Sequence, residues 1–66
     1  MKLVINGEAH TFEAPLTLAE LIERLGLKGR RIAVEHNLEI VPRSQFAETR
    51  LADGDRLEIV HAIGGG

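Results

Sequence analysis

The dipeptide Asn6-Gly7 is the feature that most restricts the fold of this chain, because it stands between two stretches of strand-forming residues. Both residues tolerate positive φ, and Asn-Gly flanked by apolar stretches is the strongest short-range signal for a β-hairpin. The pattern predicts one strand over residues 2–6 and a second over residues 9–14, with Phe12 facing the core and Pro15 ending the strand. We therefore expect an N-terminal β-hairpin.

A short amphipathic helix is predicted to follow the hairpin. Thr17 and Glu20 have the spacing of a capping box, in which each side chain bonds the backbone N–H of the other residue. Gly26 stands where a glycine commonly ends a helix. A helix of about two turns is unstable alone, so its apolar stripe must pack on a sheet. The residues of that stripe are Leu18, Leu21, Ile22 and Leu25.

The second half of the chain predicts three short strands. The third strand begins at Ile32-Ala33-Val34 and turns near residues 35–37, and the fourth is formed by Leu38, Ile40 and Val41 and ended by Pro42. Residues 43–48 are predicted to be a polar connector, with Phe46 as an anchor into the core. After a tight turn at Asp53-Gly54-Asp55, Leu57, Ile59 and Val60 form the last strand.

These elements predict an α+β fold of the β-grasp type, a mixed sheet of four to five strands packed on one main helix. We assign residues 1–62 to this domain and residues 63–66 to a flexible tail. The net charge of −2 argues against a nucleic-acid partner, and no apolar run approaches the roughly 20 residues of a membrane span. Because the chain contains no cysteine, we expect a cytoplasmic protein.

The sequence lacks the usual residue sets of an enzyme active site. It contains no Cys, Tyr or Trp, and its histidines, His10, His36 and His61, lie in three separate predicted segments. Ser44, the only serine, has no base near it in the sequence. We therefore expect no catalytic residue and no metal site.

The glycine run Gly64-Gly65-Gly66 is the strongest candidate for a functional site. Ordering glycine is costly in backbone entropy, so such a run adds nothing to a core, but a strand without side chains can enter a narrow channel of another protein. The terminal carboxylate is ionised at neutral pH and is a poor electrophile. Adenylation of Gly66 would activate its carbonyl, and Ile63 and Ala62 would be the last side chains to contact the mouth of the channel. A frayed, inert terminus is the alternative interpretation.

The whole chain resembles the ubiquitin-like sulfur carrier proteins, and most closely the ThiS-like carriers of thiamine biosynthesis. The resemblance rests on residues 1–7, 18–22, 33–43, 53–55 and 60–66, and its more specific parts are Val41-Pro42-Arg43 and the terminal glycines. Gly65 and Gly66 match the terminal pair of the family. Gly64 adds a third glycine and leaves the reactive end unchanged.

The resemblance implies a relay of partner enzymes that act on Gly66. An adenylyltransferase of the E1 type would use ATP and Mg to adenylate the carboxylate, and a cysteine desulfurase or another sulfur donor would supply the sulfur. The resulting thiocarboxylate would be used by thiazole synthase. The chain would be a co-substrate that binds no cofactor and has no catalytic residues.

Two other functions are compatible with a β-grasp domain that ends in glycines. The small subunit of molybdopterin synthase shares the chemistry but tends to be longer, and a ubiquitin-like modifier would be joined to lysines of target proteins. An interaction module with an inert tail is a third alternative. For each of these functions, we expect partners to dock on the sheet face opposite the helix. Which residues lie on that face depends on the strand register.

Overall fold

The computed structural model describes residues 1–61. In chain order, the elements are β1 (Lys2–Ile5), β2 (Glu8–Thr11), α1 (Leu18–Arg24), β3 (Ile32–His36), β4 (Glu39–Val41), a 3₁₀ helix (Arg43–Glu48) and β5 (Arg56–His61). The strands form one sheet in the order β2-β1-β5-β3-β4, in which β1 and β5 are parallel and the other neighbours antiparallel. The predicted α+β class and mixed sheet are confirmed. Neither helix of this part of the chain is long and apolar enough to cross a membrane.

The N-terminal hairpin forms at the predicted dipeptide. Asn6 and Gly7 have φ values of 49° and 83°, and Ile5 pairs with Glu8 across the turn. The predicted extension of the second strand to residue 14 is wrong, because β2 ends at Thr11. The amide of Phe12 still donates to the carbonyl of Met1, at 2.8 Å, but the ladder with β1 pairs only residues 8–11, so residues 12–14 lie outside the strand. Phe12 is half-buried and packs against the core as predicted.

The helix has both ends where the sequence predicts them. The Thr17 Oγ1 accepts from the Glu20 amide at 3.2 Å, and the Glu20 carboxylate accepts from the Thr17 amide at 2.9 Å. The hydrogen bond from the Thr17 backbone is the main reason that the pKa of Glu20 lies below its ordinary value. Gly26 follows the helix with φ of 75°. Leu25 is half-buried, whereas the other three residues of the predicted stripe are buried.

The region around the fourth strand departs from the sequence prediction. Strand β3 continues to His36, and the turn is formed by Asn37 and Leu38, which have φ values of 50° and 73°. Leu38 is therefore a turn residue and not part of the strand, and β4 begins only at Glu39. The predicted connector is a 3₁₀ helix, and its Phe46 is buried in the core, as expected of an anchor.

One hydrophobic core lies between the sheet and the two helices. The face of the sheet that carries Leu3, Val34 and Leu57 packs against α1. The opposite face carries no helix in the part of the chain that the structure describes. Within residues 1–61, the buried apolar residues of the core are Leu3, Ile5, Leu16, Leu18, Leu21, Ile22, Val34, Phe46, Leu51, Leu57 and Ile59.

Candidate functional site

Strand β5 is the element that leads directly into the predicted tail. It lies between β1 and β3, and its last residue, His61, pairs with Ile32 at the beginning of β3. The predicted site residues Gly64, Gly65 and Gly66, and the adjoining Ala62 and Ile63, lie outside the described residues. Their roles therefore stay predictions. What the structure provides is the position of the strand that precedes them.

Asn6 fixes β5 where β1 has ended. The parallel pairing of β1 with β5 stops at Ile5 and Leu57. Beyond it, the Asn6 side-chain amide acts as a substitute strand, because Oδ1 accepts from the Ile59 amide at 2.7 Å and Nδ2 donates to the Ile59 carbonyl at 3.0 Å. The backbone amide and carbonyl of the buried Ile59, two residues before the end of β5, thus both have hydrogen-bond partners.

The other end of β5 is held by a cluster around Asp55, which we call the Asp55 cluster (His36, Asn37 and Asp55). The His36 Nε2 lies 2.7 Å from Asp55 Oδ2, and the Asn37 Nδ2 donates to Asp55 Oδ1 at 3.1 Å. The Asn37 Oδ1 in turn accepts from the Arg56 amide at 2.9 Å. The cluster joins the β3–β4 turn to the first residue of β5. Sequence reasoning missed it, because nothing in the local pattern links residues 19 positions apart.

The Asp55 carboxyl group is tuned toward its charged form. Burial raises the pKa of Asp55, but the hydrogen bonds from His36, the Ala52 amide and Asn37 outweigh burial and hold the pKa below its ordinary value. The side chains of His36 and Asp55 are only 22% and 13% exposed, so solvent screens this interaction less than a surface pair. The cluster therefore contributes to stability in a way that depends on pH.

Acidification is expected to weaken the fold through Asp55. A carboxyl group with a lowered pKa in the folded state contributes stability above its unfolded pKa, about 3.9, and this contribution is lost as the pH falls through the folded pKa. The variant Asp55→Asn should lose about 1–2 kcal/mol at neutral pH. It should also show a smaller further loss between neutral pH and about pH 3 than the native protein. Urea unfolding at the two pH values measures both, with Glu48→Gln as an exposed control. Equal acid sensitivity of all three proteins would contradict the assignment.

The histidines do not form a combined site in the described structure. His10 lies on β2 and His61 at the end of β5, while His36 belongs to the Asp55 cluster. Residues 1–61 contain no group of three side chains placed to hold a metal ion. Ser44 lies in the 3₁₀ helix, outside this cluster. The absence of catalytic residues and of a metal site in the whole chain stays a prediction.

The strand register identifies the residues of the sheet face opposite α1, which we call the open sheet face. Ala33 pairs with Val60, and Glu35 pairs with both Ile40 and Glu58, so each of these sets shares one face. Ile40 is 76% exposed and Val60 is 57% exposed. By the strand register, the residues of the open sheet face are Lys2, Val4, Ala9, Thr11, Ala33, Glu35, Ile40, Arg56, Glu58 and Val60. This surface is continuous with the strand that leads to the tail.

The sheet order, the single α-helix across one face and the central strand that precedes the glycines define a ubiquitin-like β-grasp protein. The predicted fold is thereby confirmed. The chain belongs to the ThiS family, because the model of that family matches residues 3–66.

Individual relatives agree with this assignment. The chain is 56% identical over 66 residues to a thiazole synthase of Paramagnetospirillum magneticum. The aligned region covers 100% of this chain and 20% of that protein. It is 35% identical over 66 residues to the sulfur carrier protein ThiS of Escherichia coli, with 100% of both covered. The crystal structure of a thiamine biosynthesis protein (ThiS) from Geobacter metallireducens superposes with a TM-score of 0.86 at 33% identity, with 100% of each chain covered.

The lengths of these relatives differ greatly. The chain spans only 20% of the thiazole synthase from P. magneticum and 20% of a second one from Magnetococcus marinus, to which it is 42% identical. By contrast, it matches the E. coli carrier over that protein's full length. The same domain thus occurs as a short protein and as a part of much longer ones.

Proposed function

We propose that this chain is a sulfur carrier that supplies the sulfur of the thiazole ring in thiamine biosynthesis. The observation that carries the proposal is the ThiS family match over residues 3–66, which includes the glycine run. The full-length similarity to a protein named sulfur carrier protein ThiS supports the same role. The position of β5, held at both ends and directly before the tail, suits a domain that presents its C-terminus to partner enzymes.

The chemistry of the proposed role takes place at Gly66. Its carboxylate attacks the α-phosphate of ATP in an E1-like adenylyltransferase that also holds Mg, and pyrophosphate leaves. The outer sulfur of a persulfide, formed by a cysteine desulfurase or another donor, then attacks the activated carbonyl and AMP leaves, which gives an acyl disulfide. A thiol reductant cleaves its S–S bond with two electrons and leaves the thiocarboxylate. One carboxylate oxygen leaves with AMP. In this proposal, the partner enzymes provide all catalytic groups, so the chain is a co-substrate and not an enzyme.

Thiazole synthase is the proposed acceptor of the sulfur. Two relatives that carry this domain as 20% of their length are themselves named thiazole synthase, which supports a functional connection between the two activities. Ala62 and Ile63 are proposed to contact the mouth of the partner's channel, while Gly64 and Gly65 pass through it. The open sheet face lies beside the start of this tail and offers apolar residues for docking. A cytoplasmic location is part of the proposal.

The family match and the thiamine-related names of the relatives favour this role over molybdopterin synthesis. A role as a protein modifier would use the same activated Gly66 with a lysine amine as the nucleophile. The two outcomes differ in the product, which is a thiocarboxylate in one case and an isopeptide bond in the other. The mass of the intact protein therefore distinguishes them.

The proposed function is tested by incubating the protein with an E1-like activating enzyme, MgATP, a cysteine desulfurase, cysteine and an excess of a thiol reductant. We expect a mass increase that corresponds to one oxygen replaced by sulfur, and no change when ATP is omitted. An unchanged mass, with enzymes that are shown to modify another ThiS protein, would overturn the proposal. Covalent adducts to other proteins would instead support a modifier.

A further inference from the structure

The tip of the β3–β4 hairpin carries two exposed apolar side chains that the fold does not use. Leu38 is 86% exposed and Ile40 is 76% exposed, the two highest values among the large apolar residues that the structure describes. They are two residues apart, at the turn and on the open sheet face. Burying a leucine side chain is worth about 1.5–3 kcal/mol, so leaving both in water forgoes considerable stabilisation.

Leu38 also carries backbone strain. Its φ of 73° lies in the left-handed region, and within residues 1–61 the other positions with positive φ are all glycine or asparagine. Asn37 is compensated by its hydrogen bonds to Asp55 and Arg56. A turn with positive φ at both central residues favours glycine at the position that Leu38 occupies. A strained and exposed leucine points to a function, because strain of this kind persists mainly where function requires it.

Hydrogen bonds connect the tip to the start of β5. The Asp55 cluster joins the turn to β5, and the Asn37 amide donates to the Arg56 carbonyl at 2.8 Å. Two carboxylates, Glu35 and Glu58, share the open sheet face with Ile40, against the cation of Arg56 at the start of β5, whereas Glu39 lies on the opposite face. A binding partner should therefore present an apolar pocket with a basic rim.

We propose that Leu38 and Ile40 form an apolar anchor that inserts into a basic-rimmed pocket of thiazole synthase. The inference rests on the proposed function. Thiazole synthase is the chosen partner because two relatives that contain this domain as 20% of their length are named thiazole synthase. The tip lies near Leu57, four residues before the end of β5, which is about 13 Å along the strand from the exit of the tail. The anchor can therefore stay bound while the tail occupies an active site.

The experiment measures the affinity of the full chain for thiazole synthase by titration of a fluorescently labelled protein. Leu38→Gly removes the anchor side chain and the strain together. It should weaken binding by about 10–100-fold and leave the Tm unchanged or raise it by about 2–5 °C. Leu38→Met, a matched control, keeps an apolar side chain and should bind within about threefold of the native affinity. Thiocarboxylate formation by the activating enzyme should be unaffected in both variants.

The contrary outcomes distinguish a failure of the anchor from a failure of the proposed function. Native-like binding of Leu38→Gly, or a lower Tm, would overturn the anchor and leave the proposed function intact. Slower thiocarboxylate formation with normal synthase binding would also overturn it, because the tip would then contact the activating enzyme. A native protein that acquires thiocarboxylate but does not bind the synthase overturns the anchor as well. Failure of the native protein to acquire thiocarboxylate would overturn the proposed function itself.

Discussion

Removal of Gly65 and Gly66 is expected to abolish thiocarboxylate formation completely while leaving the stability of the domain unchanged. The loss follows because the truncation moves the carboxylate about 7 Å back along the chain, to Gly64, so it no longer reaches the ATP bound to the activating enzyme. The fold should survive because the deleted glycines have no side chain to pack, and the last buried core residue within residues 1–61 is Ile59. Intact mass after the activation reaction measures the first effect, and the urea midpoint measures the second.

A smaller deletion provides the matched control for this prediction. Removing Gly66 alone retains a glycine carboxylate but moves it by about 3.5 Å, and we expect the activation rate to fall at least about 100-fold. Normal thiocarboxylate formation by the chain that ends at Gly64 would contradict the assignment of the reactive site. A loss of stability on truncation would show that the tail contributes to the fold.

Replacement of Asn6 by alanine is expected to cost about 2–3 kcal/mol of stability. The variant loses two hydrogen bonds to Ile59, each worth about 1 kcal/mol. It also places alanine, which tolerates the left-handed region less well than asparagine, at φ of 49°, and this costs about another 1 kcal/mol. For a domain of this size, whose stability is only a few kcal/mol, the loss is a large fraction of the total. Urea denaturation gives the free energy of unfolding.

Two further variants separate the contributions of Asn6. Asn6→Gly accepts the positive φ and should lose only the part due to the hydrogen bonds, about 1–2 kcal/mol. Asn6→Asp keeps the acceptor for the Ile59 amide but points a second oxygen at the Ile59 carbonyl, so it should be no more stable than the glycine variant. A cost below about 0.5 kcal/mol for Asn6→Ala would show that the side-chain bonds do not hold β5.

These predictions assign stability to the folded domain and the proposed chemistry to the tail. The domain up to His61 is stabilised by its core and by side chains of Asn6 and the Asp55 cluster, which act on the two ends of β5. The proposed chemistry requires only that β5 present the tail at a defined place. The domain and the tail can therefore be changed independently, and the paired measurements of stability and of activation exploit this property.

The sequence by itself determined the local structure and the candidate reaction. Asn6-Gly7, the capping box of Thr17 and Glu20, and Gly26 act through bonds and φ preferences within a few residues, so their roles were predictable. The glycine tail was also identified from the sequence, because its chemistry depends on lacking side chains.

Only the tertiary structure decided how distant segments meet. The parallel pairing of β1 with β5 and the bonds of Asn6 to Ile59 join residues more than 50 positions apart, and Asp55 meets His36 across 19 positions. The end of β2 and the position of Leu38 in a turn likewise depend on where a partner strand lies. The sequence prediction was wrong at both, because it extended the second strand to residue 14 and placed Leu38 in the fourth strand. The physical reason is that local preferences act over a few residues, whereas the register of a sheet is selected by packing of the whole core.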